Sequence, residues 1–407
     1  MWFDRTPPER LRALAKQLGA VLPANAPFRL ALEPLATASY WGGYADISGP
    51  AGAIRVPGCG FEILEAMLQA WRYVPGALLY GFLSYDLAGE IENLGPLPAE
   101  TFRFPKFQFR LCNSPLRSEP ESSHGGLRMP SHPISRPDRA AFEASVQRTV
   151  AAIHAGDIFQ TNLCRSIEAR IQPGSEGELF RRMRGVSPAR YEAFLRIDPQ
   201  RAVLSVSPEL FLKLEDGIVE SRPIKGTRPR GQTAEHDHAL RRELCASEKD
   251  RAELAMIVDV ARNDLGRVCE TGSVEVAAHA ELMTIPTVHH LFSTVRGRLR
   301  EGAGPVDLLR AAFPAASITG APKIEAMRIA MREEGQLRGP CMGAIGWISM
   351  DGRMELSVAI RTAFVIGDRA RYYAGCGITA ASDPASEFDE SQHKAAAFLR
   401  ALDAEGF

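Results

Sequence analysis

The spacing of three apolar stretches near the C-terminus constrains the fold most. Gly343–Ser349, Met354–Phe364 and Arg371–Tyr373 read as strands, with Asp351-Gly352 and Gly367-Asp368 as the turns between them. Links that short join antiparallel neighbours, because a parallel crossover takes about a dozen residues or more. A doubly wound parallel sheet is therefore excluded. The same signal appears earlier, where Leu210–Leu214 and Ile218–Ser221 flank Glu215-Asp216-Gly217. Asp-Gly there supplies the positive φ angles of a tight hairpin. Further strands are expected over 77–83, 158–171, 273–276 and 291–299.

Helices interleave with these strands, which makes the class α+β. Asp138 is placed to cap a helix whose apolar residues Phe142, Val146, Val150 and Ile153 recur every three or four positions before Gly156 closes it. Ser247 caps another running to about Leu265. Pro305–Phe313 and Pro322–Glu334 each open on a proline, which suits a first helical turn, and a last helix starts at Asp383-Pro384. Asn113 to Pro137 carries five prolines and six serines without an apolar period. It reads as a linker or long surface loop between an N-terminal part, residues 1–112, and a region 138–407 with sharper signals.

Composition narrows the partners. With 48 basic and 49 acidic residues the net charge is -1, so the electrostatic footprint of a nucleic-acid binder is missing. Seven cysteines are scattered without paired spacing, which suggests neither a disulfide framework nor a zinc site and fits a reducing cytoplasm. Met1 to Arg10 mixes charges with prolines where a signal peptide would be apolar, and no stretch reaches the roughly 18 apolar residues of a membrane span. No membrane partner is expected.

Several residues could carry chemistry. Ser221 to Gly231 packs Lys225, Arg222, Arg228 and Arg230 among prolines and glycines. Such a segment is either a solvated basic loop or a rigid frame presenting an amine to an anion. A nucleophilic lysine needs its ordinary pKa of about 10.4 pulled down, and nearby arginines can help by opposing a further positive charge. Glu387 and Glu390 lie three apart on one helical face, and Glu253 sits on the helix after Ser247. These are surface glutamates or convergent ligands, and oxygen donors alone suit Mg2+ better than zinc. Arg361 lies within the stretch 356–364, where an inward arginine would need an anionic partner. Gly375-Cys376-Gly377 closes the next strand as a tight turn or as backbone N–H donors for the same anion. Thr319, just before a helix, is a cap or part of an anion site. His289 and His290 are adjacent in a strand and must face opposite ways, one toward a cavity and one toward water.

From Asp138 onward, these stretches resemble the chorismate-utilising enzymes. The resemblance is carried by Phe159 to Leu163, Ser207-Pro208-Glu209, Pro223 to Gly231, Lys249 to Glu253, Arg262 to Arg267, Ile318 to Lys323 and Glu387 to Glu390. It implies two orthogonally packed, mainly antiparallel sheets flanked by helices, with chorismate and Mg2+ in the cleft between them. It implies Lys225 as nucleophile and Glu253 as acid/base or metal ligand, with Glu387 and Glu390 holding Mg2+. Arg361, Gly375, Gly377, Thr319, His290, Gln160 and Lys394 would bind substrate.

Within the family, the Pro-Ile-Lys-Gly-Thr form around Lys225 looks like the aminodeoxychorismate synthase component I branch, where ammonia replaces the chorismate 4-hydroxyl on the way to p-aminobenzoate and folate. Glutamine at 160 disfavours a water-adding branch that uses lysine there. Gly58-Cys59-Gly60 lacks the pattern of a glutaminase nucleophile, so ammonia is expected from a separate glutamine amidotransferase subunit. An anthranilate synthase component I is the alternative enzyme, and a chorismate-binding protein without turnover the alternative outside catalysis.

Overall fold

The structure is a computed structural model that describes residues 8–20, 34–112, 127, 129, 131–285 and 288–403. Most of the expected linker, 113–126 with 128 and 130, lies outside the described residues. Its end is not a loop, because Ile134–Arg136 forms a short strand along Gln160–Arg170.

All strand pairings among the described residues are antiparallel. They form one sheet of twelve strands and one of seven, flanked by helices. The larger sheet runs from Ile224–Pro229 at one edge to Gly52–Pro57 at the other. N-terminal strands join it where Leu78–Leu83 pairs with Ala344–Ser349. Gly81 sits opposite Gly346 in that ladder. A Cβ on Gly81 would come within 1.9 Å of the Gln108 carbonyl oxygen, so the close approach needs glycine.

Local signals account for many boundaries. Asp138 accepts from the Ala141 N–H and Gly156 takes the left-handed conformation, bounding a helix Arg139–Ala155. Ser247 accepts from Asp250 N–H to start Glu248–Gly266, a cap worth about 1 kcal/mol. Asp216 and Gly217, with φ of 50° and 73°, make the tight hairpin. Beneath the larger sheet lies an apolar core that includes Trp71, Phe82, Phe107 and Phe109, all fully buried.

Three expectations need correction. Met354–Phe364 is not one strand: Met354–Val358 belongs to the larger sheet and Thr362–Ile366 to the smaller, and the chain changes sheets at Ala359–Arg361. Its neighbour does the same, Arg201–Ser207 lying in the smaller sheet and Leu210–Glu215 in the larger, with Pro208-Glu209 between. Two strands therefore pass between sheets side by side, tied by Val358 N–H to Glu209 C=O at 3.0 Å and Val206 N–H to Arg361 C=O at 3.2 Å. The stretch Arg371–Tyr373 extends to Arg369–Ile378, so Gly375-Cys376-Gly377 lies inside a strand and is no turn. The basic segment is likewise ordered, Ile224–Pro229 pairing with Val288–Arg298.

Candidate active site

A cavity of about 640 Å³ opens between the two sheets. Ile224 to Thr227 and His290 line it from the larger sheet, Asn162 and Tyr372 to Gly375 from the smaller. Pro208-Glu209 and Ile360-Arg361, the two points where strands change sheets, line it as well. Helix Pro384–Ala401 adds Lys394 and Arg400.

Lys225 stands on the edge strand with its amine turned into this cavity. A Cβ built on Gly377 would lie 2.4 Å from Gln160 Nε2 and 3.3 Å from Lys225 Nζ, so the amide and the amine converge on a glycine that leaves them room. The Gln160 side-chain oxygen is buried with no hydrogen-bond partner among the described residues. Each flanking arginine already has an acidic partner. Arg222 pairs with Glu220 at 2.6 Å, Arg228 with Glu243 at 2.7 Å, and Arg230 with Asp237 at 2.8 Å.

Glu209 faces Lys225 and was not among the residues singled out for chemistry. It is 3% exposed, and burial pushes its carboxyl up to about 7, although the Ser317 hydroxyl, the Lys225 charge and the Ile224 N–H pull the other way. A carboxyl poised near neutrality in a cavity can give or take a proton. Its signal in the sequence was Pro208-Glu209 itself, a proline and a charge interrupting two apolar runs.

His290 is 2% exposed and held neutral, its pKa lowered to about 4 by burial and by the Arg361 charge. Nδ1 meets the Thr227 hydroxyl at 2.8 Å, while Nε2 is buried without a partner among the described residues. His289 does face the opposite way, yet not toward water. It is fully buried, with Nε2 on Asp237 at 2.9 Å and Nδ1 on Thr284 at 2.9 Å. Arg361 has a φ of 49° and donates to Ser187 Oγ at 3.1 Å. Among the described residues no carboxylate reaches it, so its fork remains open to an anion. Thr319 is turned away, donating to the Ala315 and Ala316 carbonyls at 3.2 Å each, and its neighbours Ser317 and Ile318 line the cavity instead.

Acidic groups gather around Lys394. Glu387 is 3% exposed, not a surface glutamate. Ser382 donates to its Oε1 at 2.7 Å, and Oε2 is buried without a partner among the described residues. Glu390 is exposed and paired with Lys394 at 2.7 Å, and Lys394 also donates to the Gly375 carbonyl at 3.0 Å. The third donor within 4.8 Å of this pair is Cys376, not Glu253. Glu253 is raised by burial, and it feels the charges of both Lys225 and Glu390 across the cleft. An orphaned buried carboxylate oxygen with two further carboxylates nearby suits a hard divalent cation such as Mg2+.

Among the described residues no helix is long and apolar enough to cross a membrane. Aminodeoxychorismate synthase of Streptomyces griseus is 48% identical over 269 residues, covering 66% of this chain and 37% of that protein. Anthranilate synthase component 1 of Streptomyces coelicolor is 44% identical over 263 residues, covering 65% of this chain and 51% of its own length. The matched stretch thus spans between about a third and half of these curated relatives. The crystal structure of anthranilate synthase component I from Streptococcus pneumoniae superposes with a TM-score of 0.75 at 28% identity, covering 91% of each chain. The profile described as chorismate binding enzyme matches residues 60–400, so the likeness reaches well upstream of Asp138 into the N-terminal strands. This chain belongs to the chorismate binding enzyme family.

Proposed function

We propose that the chain is an aminodeoxychorismate synthase component I, replacing the 4-hydroxyl of chorismate by ammonia from a separate glutamine amidotransferase subunit. The observation that carries this reading is an amine, Lys225, facing a buried carboxyl, Glu209, across a cavity of suitable size. Relatives named for aminodeoxychorismate synthesis support it, and those named for anthranilate synthesis keep that reaction as the second reading.

Each residue then has a task set by its surroundings. Lys225 attacks C2 of the ring while Glu209, its carboxyl raised by burial, delivers a proton to the departing 4-hydroxyl. Ammonia adds at C4 and expels the lysine, splitting one hard displacement into two easier ones. Arg361 takes one substrate carboxylate in its open fork, and the N–H groups of Gly375 and Gly377 lie on the same wall. His290 offers its unpartnered Nε2 to the ring pocket. Glu387, Glu390 and Glu253 would hold Mg2+, which when bound polarises the other carboxylate.

The test is an incubation with chorismate, Mg2+ and ammonium, with the product identified by mass. Aminodeoxychorismate is expected with ammonium alone, and with glutamine only after a glutaminase subunit is added. Fluorescent anthranilate would assign the second reading, and no turnover would leave a binding protein.

A further inference from the structure

Cys376 is fully buried on the strand Arg369–Ile378, where it pairs with Leu163 in the ladder. Its thiol donates to the Glu387 carbonyl oxygen at 3.2 Å. The sulfur, a Glu387 oxygen and a Glu390 oxygen lie within 4.8 Å of one another, and among the described residues no other such trio gathers as closely. Ser382 fixes one Glu387 oxygen, leaving the other buried and unpartnered. Lys394 holds Glu390 and, through the Gly375 carbonyl, also touches the strand that carries the thiol.

Hard and soft cations would use this trio differently. Mg2+ takes oxygen and leaves a thiol alone, whereas Zn2+ and Co2+ accept sulfur and carboxylate together. We propose that Cys376 gives the carboxylate pair a sulfur arm, so that a thiophilic divalent cation, Zn2+ foremost, binds through Cys376, Glu387 and Glu390 in competition with Mg2+. On binding, the S–H bond breaks, a metal–sulfur bond forms and the proton leaves to solvent. Donors around a tetrahedral zinc stand roughly 3.4 Å apart, so these need to draw in by about an ångström or so. Two carboxylates and one thiolate leave a fourth position open. The proposal rests on the metal assignment above but not on the reaction.

Co2+ is the probe, added to the full chain without chorismate. A sulfur-to-cobalt charge-transfer band in the near ultraviolet should saturate at one ion per chain. Equimolar Zn2+ should abolish it, and Mg2+ only in large excess. Cys376→Ser should lose the band and weaken Zn2+ in calorimetry by roughly ten- to a hundredfold, with Mg2+ affinity unchanged. Glu387→Gln, which keeps the thiol, should weaken both ions and guards against a Cys376 variant that fails to fold. No band in the wild type, a band that survives Cys376→Ser, or equal Zn2+ affinity in both proteins would overturn the sulfur arm. Mg2+ binding untouched by Glu387→Gln would instead overturn the metal assignment.

Discussion

Lys225 and Lys323 both turn inward from the edges of regular elements, and the fold treats them in opposite ways. Lys323 donates to Asp264 at 2.6 Å and to the Ala312 and Pro314 carbonyls at 2.8 Å each, three acceptors for three protons. Among the described residues Lys225 makes no hydrogen bond or ion pair, and it faces a cavity with Glu209 on its wall. A saturated lysine locks the start of helix Lys323–Glu334 onto helix Glu248–Gly266. An unsaturated one is kept for something that is not protein. The orphaned atoms of Gln160, His290 and Glu387 belong with the second kind.

The contrast breaks most sharply at Lys225. Lys225→Arg keeps the charge but cannot attack carbon, so aminodeoxychorismate formation should fall about 10⁴-fold or more while the melting temperature stays put. Near-normal turnover would make the lysine an electrostatic clamp. Lys323→Met should do the reverse, losing about 3–5 kcal/mol in urea denaturation because Asp264 is left buried and unpaired. Burial already pushes Asp264 up to about 6, and without Lys323 it rises further. A raised carboxyl is harmless while protonated and costs stability as pH climbs through its folded value, so the loss should be larger at pH 8 than at pH 5.

Glu209→Gln sharpens the comparison. Turnover should drop about a hundredfold or more for want of the acid. Because its folded value of about 7 lies above the ordinary carboxyl, wild-type stability is intact at low pH and falls as pH rises through neutrality. The glutamine variant should gain on the wild type between about pH 5 and pH 8, by at most on the order of 3 kcal/mol. A parallel pH dependence in both proteins would remove Glu209 as the group. The smallest effect is expected at Thr227, whose hydroxyl holds the His290 ring. Thr227→Val should cost about 1 kcal/mol, or about fivefold in turnover, and Thr227→Ser should restore it.

Antiparallel topology was legible because Asp-Gly and Gly-Asp turns and the caps at Asp138, Gly156 and Ser247 act through their nearest neighbours. Helix Ala234–Ala246 was not foreseen, since Leu244 is its only buried residue and no apolar period announces it. Met354–Phe364 misled for the opposite reason: no glycine, proline, asparagine or aspartate interrupts it, and only the second sheet reveals where the chain crosses over. Glu209 escaped because its raised carboxyl is made by burial, which only the packing of the two sheets creates, with Ser317 and Lys225 pulling against it. Glu387 and Glu390 could be picked out because helical spacing alone sets them in line, whereas Lys394 came only with the family resemblance.

The paired passage of strands between sheets makes the cleft a seam sewn with two adjacent stitches, Pro208-Glu209 and Ala359–Arg361. The walls are continuous thread at those points. Arg361 and Glu209 stand on the two stitches, tied by Val358 N–H to Glu209 C=O and Val206 N–H to Arg361 C=O. The groups proposed to grip the substrate and hand it a proton are therefore set relative to each other by backbone hydrogen bonds rather than by side-chain packing alone.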